Sequence, residues 1–129
     1  RLLRFRCLGL RASGTSRFGK ITIRNPSRVA IGSRNAFSDD CQLWARDQGS
    51  ACIRIGHSNF FNVGAIIDAC GEVVVGDHNM FGPRVYIADS NHIQCLDRWV
   101  THTDMNTGSV VIGNGCWIGA HAVILSNVK

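Results

Sequence analysis

The sequence predicts an all-β chain, wound as a parallel β-helix of hexapeptide repeats and interrupted by one long inserted loop at about 89–109. Three observations predict it. Ile and Val total 23 against 7 Leu, a balance that favours pleated strands over helices. Glycine numbers 14 against 2 Pro, enough to turn a chain at many corners. Above all, large apolar residues recur every six positions along most of the chain.

The repeat runs as follows. Ile31, Phe37 and Leu43 form a first set, and Ile55, Phe61 and Ile67 a second. Val75, Phe81 and Ile87 form a third, and Ile112, Ile118 and Ile124 a fourth. Leu, Ile, Val and Phe make up 36 of 129 residues, so twelve random positions would hold about three or four of them, not twelve. Gly follows the anchor in Ile31-Gly32, Ile55-Gly56, Val75-Gly76, Ile112-Gly113 and Ile118-Gly119, and a compact residue such as Asn35, Cys41, Asn59, Ala65 or Asn79 comes four after it. Three hexads make one triangular turn, and each turn buries its apolar face only against its neighbours.

Departures from an 18-residue turn locate insertions. Six extra residues fall around 46–51, two around 69–72 and nineteen between about 89 and 109. The long one leaves the coil as a loop, where function is most readily carried. Before the first set, Ile21-Thr22-Ile23 and Val29-Ala30-Ile31 alternate, so residues 1–30 read as a basic segment with an incomplete first coil. The repeat domain is assigned to 31–129. Lys129 stops where another hexad is due, and the domain is read as truncated at that end.

Composition removes several classes. One domain suits 129 residues, 45% apolar content excludes a disordered chain, and no apolar run is long enough to span a membrane as a helix. The net charge of +5 is unevenly placed. The first 34 residues hold nine basic groups and no acid, whereas the remainder holds five basic and nine acidic groups. No aromatic platform accompanies the basic segment, so nucleic acid is not an expected partner, while peripheral membrane contact through 1–20 stays open. Six cysteines without a CxxC pair read as small apolar fillers of a cytoplasmic protein, at the inner membrane surface if the arm docks there.

The stretch Ile112-Gly113-Asn114-Gly115-Cys116-Trp117-Ile118-Gly119-Ala120-His121, preceded by Asp89-Ser90-Asn91-His92, resembles the hexapeptide-repeat acetyltransferases. Galactoside, maltose, nodulation and capsule or lipopolysaccharide O-acetyltransferases are the closest types, over roughly 31–129. The resemblance implies a left-handed β-helix, a homotrimer with sites between subunits, acetyl-CoA as acyl donor and no metal. It implies a role in polysaccharide biosynthesis, with a sugar or glycan hydroxyl as acceptor. His92 matches the catalytic histidine, and an imidazole can take the proton an alcohol must lose. Asn62 matches an acceptor contact, and Asp68 an acceptor-binding carboxylate after a one-residue slip. Trp117 resembles a wall of the coenzyme cleft, and the Ala120 N–H a donor to the thioester oxygen. Further coenzyme contacts in the family come from later coils that this chain lacks.

Two other readings stand beside this one. A γ-class carbonic anhydrase shares the fold but needs a His-x4-His pair, and no two of the five histidines have that spacing. A catalytically inactive structural solenoid is the other. His57, His78 and His121 sit at corners, where solvation or coenzyme packing is the ordinary role, and His102 lies within the long loop.

Overall fold

The computed structural model describes residues 9–47, 49 and 51–129. Residues 1–8, with Cys7 and much of the basic arm, lie outside the described residues. Five coils stack, each giving one strand to each of three parallel sheets. The first coil holds β1 (Arg11–Ala12), β2 (Arg17–Phe18) and β3 (Thr22–Arg24), and the second β4 (Val29–Ile31), β5 (Ala36–Phe37) and β6 (Gln42–Ala45). The third holds β7 (Cys52–Ile55), β8 (Phe60–Phe61) and β9 (Ile66–Ala69), and the fourth β10 (Glu72–Val75), β11 (Met80–Phe81) and β12 (Tyr86–Ala88). A hairpin of β13 (Ser90–His92) and β14 (Met105–Thr107) then leaves the solenoid. The fifth coil follows with β15 (Ser109–Ile112), β16 (Trp117–Ile118) and β17 (Val123–Ile124). The order is β1-β4-β7-β10-β15 in the first sheet, β2-β5-β8-β11-β16 in the second and β3-β6-β9-β12-β17 in the third.

All twelve predicted anchors stand in register. Ile31, Ile55, Val75 and Ile112 are successive partners in the first sheet. Phe37, Phe61, Phe81 and Ile118 follow one another in the second, and Leu43, Ile67, Ile87 and Ile124 in the third. The first coil has all three of its strands, with Ala12, Phe18 and Ile23 beneath Ile31, Phe37 and Leu43. Its anchors escape a six-residue template because Ala12 is small and the step from Phe18 to Ile23 is five. Within the second sheet Phe18, Phe37, Phe61 and Phe81 stack nearly parallel, with centroids 5.2, 4.6 and 4.4 Å apart. In-register burial enforces that face-to-face stack, although isolated rings favour offset or edge-on pairs.

The compact residues four after each first-sheet anchor have a specific task. At the corner between first and second sheets, Arg34, Ser58, His78 and Gly115 take φ of 58°, 58°, 59° and 68°. That left-handed backbone costs a non-glycine residue about 1 kcal/mol or more. A buried ladder one residue later offsets it. Asn35 Nδ2 donates to the Gly56 carbonyl (2.8 Å), and its Oδ1 accepts from the Asn59 N–H (2.9 Å). Asn59 repeats this to Gly76 and Asn79, and Asn79 to Gly113 and Cys116. Each asparagine thus satisfies one donor and one acceptor of the next coil, which buried backbone demands.

The corners differ in how freely they vary. Four residues connect every strand of the first sheet to the second. Four also connect the second sheet to the third, except for three in the first coil. The third corner carries all the length variation: 25–28, 46–51, 70–71 and the excursion 89–108. The insertions predicted at 46–51, 69–72 and 89–109 are therefore all at one edge of the prism. The cysteines divide. Cys41 and Cys70 are buried, Cys52 and Cys116 are half-buried in the coils, and Cys95 sits on the excursion rather than in the core. Burial pushes the Cys41 thiol up to about 11.

Candidate active site

Three of the five predicted site residues line one groove. It runs along the outer face of the second sheet at its corner with the third, has a volume of about 280 Å³, and is walled by Phe60, Met80 and Trp117. These three are successive register partners, so the parallel ladder itself makes the apolar stripe. Trp117, on the edge strand β16, is 83% exposed, and Met80 on the neighbouring β11 is 55% exposed. Asn62, Pro83 and Ala120 close the corner end. Gly82 lets the next coil approach, since a Cβ there would lie 2.5 Å from the Ala120 nitrogen.

The amides around Ala120 are partly committed. His121 N–H donates to the Pro83 carbonyl (2.9 Å) and Ala122 N–H to that of Gly119 (3.3 Å). The Ala120 N–H just before them has no acceptor among the described residues. Asn62 borders the groove, and its Oδ1 accepts from the Val63 N–H (2.8 Å). Its backbone is not left-handed. That conformation belongs to Gly64 two residues on, with φ 70°, so αL tolerance does not explain the asparagine.

Asp68 and His92 stand apart from this groove. Asp68 is buried on the third sheet and held bidentately by Arg46, Nε to Oδ1 at 2.8 Å and Nη2 to Oδ2 at 2.6 Å. The pair raises the Arg46 pKa further, chiefly through that hydrogen bond. Tyr86 beside it is raised by burial first and then by the Asp68 charge. His92 is exposed on β13, directly opposite Met105 of β14. Opposed residues of an antiparallel pair share a face, and Met105 closes a second cavity of about 230 Å³ with Trp44, Arg46 and Cys70. His92 therefore projects on the side of the third sheet that carries the Arg46–Asp68 pair. The groove and this cavity share no lining residue.

Other histidines have structural work. His57 Nδ1 accepts from the Ser33 N–H (3.0 Å), which fixes the tautomer with its proton on Nε2 in the neutral ring. His78 and His121 occupy left-handed corners, with φ 59° and 58°, and their main-chain N–H groups join neighbouring coils. A larger hollow, about 690 Å³, lies along the outer face of the first sheet between Arg11 and Arg54. Neither lining carries a carboxylate or an imidazole, but the hollow also lacks the aromatic wall and the corner asparagine that the smaller groove has. Sequence reasoning missed Phe60, Met80 and Arg46. The outward position just before each second-sheet anchor was the available signal for the first two.

No family model matches the sequence, and no curated protein does. Solved structures do match. AntD, an N-acyltransferase from Bacillus cereus, in complex with dTDP and 3-hydroxybutyryl-CoA, superposes with a TM-score of 0.77 at 19% identity, covering 99% of this chain and 70% of that one. A variant of AntD in complex with dTDP-4-amino-4,6-dideoxyglucose and Coenzyme A gives 0.75 at 19% identity, covering 99% and 71%. Another, with dTDP and Coenzyme A, gives 0.71 at 18%, with the same coverage. The likeness establishes a shared fold: this chain is a parallel β-helix of the kind on which AntD is built.

Proposed function

We propose that the protein transfers an acyl group from acyl-CoA to a sugar or glycan-type acceptor, with acetyl-CoA as donor and an acceptor hydroxyl as nucleophile. The observation that carries the reading is the apolar groove ending on an uncommitted N–H. Trp117, Met80 and Phe60 offer an apolar wall to a flexible thioester arm, and the Ala120 amide is a fixed donor for its carbonyl oxygen. Such a donor strengthens as that oxygen gains charge, so it favours the transition state over the ground state. The fold's likeness to AntD, solved with CoA or an acyl-CoA, supports the same donor.

His92 is the proposed general base. An exposed imidazole can accept the acceptor's hydroxyl proton as the oxygen attacks the thioester carbon, and return it to the departing thiolate. Within one protomer His92 stands at a different corner from the groove, so we propose that it serves the groove of a neighbouring copy in a homotrimer. Asn62, bordering the groove, is the proposed acceptor contact. Asp68, locked to Arg46, would act on the acceptor through that ion pair rather than as a free carboxylate. Holding both substrates in one cleft supplies much of the rate.

The test is His92→Ala, followed by CoA thiol release. Turnover is expected to fall about 10²- to 10⁴-fold, and undiminished turnover in a folded variant would sink the assignment. A second reading, an amino-sugar nucleotide acceptor, is favoured by the likeness to AntD, an N-acyltransferase. An amine attacks through its own lone pair and loses its proton later. Parallel assays with dTDP-4-amino-4,6-dideoxyglucose and with hydroxyl-only sugars separate the two by which product gains the acyl mass.

A further inference from the structure

The geometry points to Asp89 as the positioning residue for His92, a buried carboxylate that ties the root of the hairpin to the coil below. This rests on the reading of His92 as the base. Asp89 has no exposed surface. Its Oδ1 accepts from the Cys70 N–H (2.7 Å) and its Oδ2 from the Gly71 N–H (2.8 Å). Its own carbonyl accepts from the Gly108 N–H (2.7 Å), where the excursion returns. One residue thus joins the departing strand, the returning strand and the corner of the preceding coil.

The surroundings show how closely this point is built. A Cβ on Gly71 would stand 2.5 Å from the Gly108 carbonyl oxygen, so glycine is what lets the returning strand pass this corner. Ser90 Oγ donates to Cys70 Sγ (3.2 Å), and Met105 Sδ lies 3.9 Å from the same sulfur. Both strands of the hairpin therefore rest on the corner that Asp89 holds. Two residues separate Asp89 from His92, and Ser90, Asn91 and His92 are paired rigidly with Thr107, Asn106 and Met105. A tilt at the root is carried to the imidazole along that short lever.

The chemistry asks for a carboxylate. Burial raises the Asp89 pKa, the Cys70 and Gly71 amides lower it, and the Asp68 charge raises it further. A buried acid is costly, and a corner could be stapled by one neutral acceptor. The two equivalent oxygens give each of the two consecutive N–H donors its own acceptor. An asparagine would keep one bond and set its NH₂ against the other donor.

Asp89→Asn tests this in the full chain. A misplacement of about 1 Å at a reacting group costs about 100-fold in rate, so kcat should fall by about that factor. KM for acyl-CoA should stay within about twofold, because the groove is not touched. In a His92→Gln background the same change should cost nothing further, since it acts through that ring. Equal losses in both backgrounds, or an unchanged kcat, would overturn the proposal. Full activity of His92→Gln alone would instead end the reading of His92 as base. If Asp89→Asn does not fold, hydrogen exchange on the wild type carries the test. The Cys70 and Gly71 amides should open together with those of Ser90–His92, and a hairpin that opens while they stay protected refutes the linkage.

Discussion

The stacked coils and the excursion at 89–108 are held by opposite means. In the coils each residue type recurs above and below itself: Phe on Phe, Asn on Asn, Ile on Val. Every interaction is made several times, and each coil is stabilised by its neighbours. The hairpin repeats nothing. Leu96, Trp99, Ile93 and Val100 are exposed, and its attachment is concentrated at Asp89, Ser90 and Met105. Redundant contacts tolerate variation in any one member, whereas a single attachment makes one residue decisive. The difference assigns stability to the coils and positioning to the hairpin.

Four measurements would break or sharpen that contrast. Phe61→Ala, which opens the middle of the aromatic stack, is expected to cost about 3–5 kcal/mol in denaturant unfolding. A loss below about 1 kcal/mol would mean the stack is not what supports the coils. Asn59→Ala strands the Asn79 N–H and the Gly76 carbonyl in the interior, with an expected cost of about 2–3 kcal/mol. The third measurement is the pH dependence of Asp89. Burial raises its folded pKa above that of an ordinary aspartate, so between the two values the native state binds more protons than the unfolded state. Stability should then decline as pH rises from about 4 through the folded pKa, and Asp89→Asn should lack that component. A wild type whose stability rises over that window relative to the variant contradicts it. Smallest of all, Leu96→Ser at the excursion's exposed tip should change stability by no more than about 0.5 kcal/mol. A shift well beyond that in thermal unfolding would reveal packing that the single protomer does not show.

The same contrast explains what could be read in advance. Twelve anchors were legible because burial on three faces forces a period, and a period survives in a linear sequence. The first coil was less legible, as Ala12 is a weak apolar signal and Ile23 falls one residue early. The asparagine ladder showed only as compact residues at fixed offsets, since pairing between coils is invisible until coils are stacked. Arg46 and Asp68 lie 22 residues apart at an irregular corner, so no spacing linked them. Asn62, Trp117 and Ala120 were found by resemblance and lie together. Phe60 and Met80, which complete the wall, were hidden as ordinary outward strand residues.

Two of the three prism edges therefore work as rulers. Their nearly constant four-residue connections set where every anchor meets the core, and an extra residue there would rotate a whole coil's side chains out of register. The third edge is free of that duty. Lengths from two residues at 70–71 to twenty at 89–108 coexist on it without disturbing the ladders on either side. New chemistry can be added to such a scaffold along one line only. That line is where the hairpin bearing His92 is rooted, and the same seam at 46–51 is the natural place to graft a second loop.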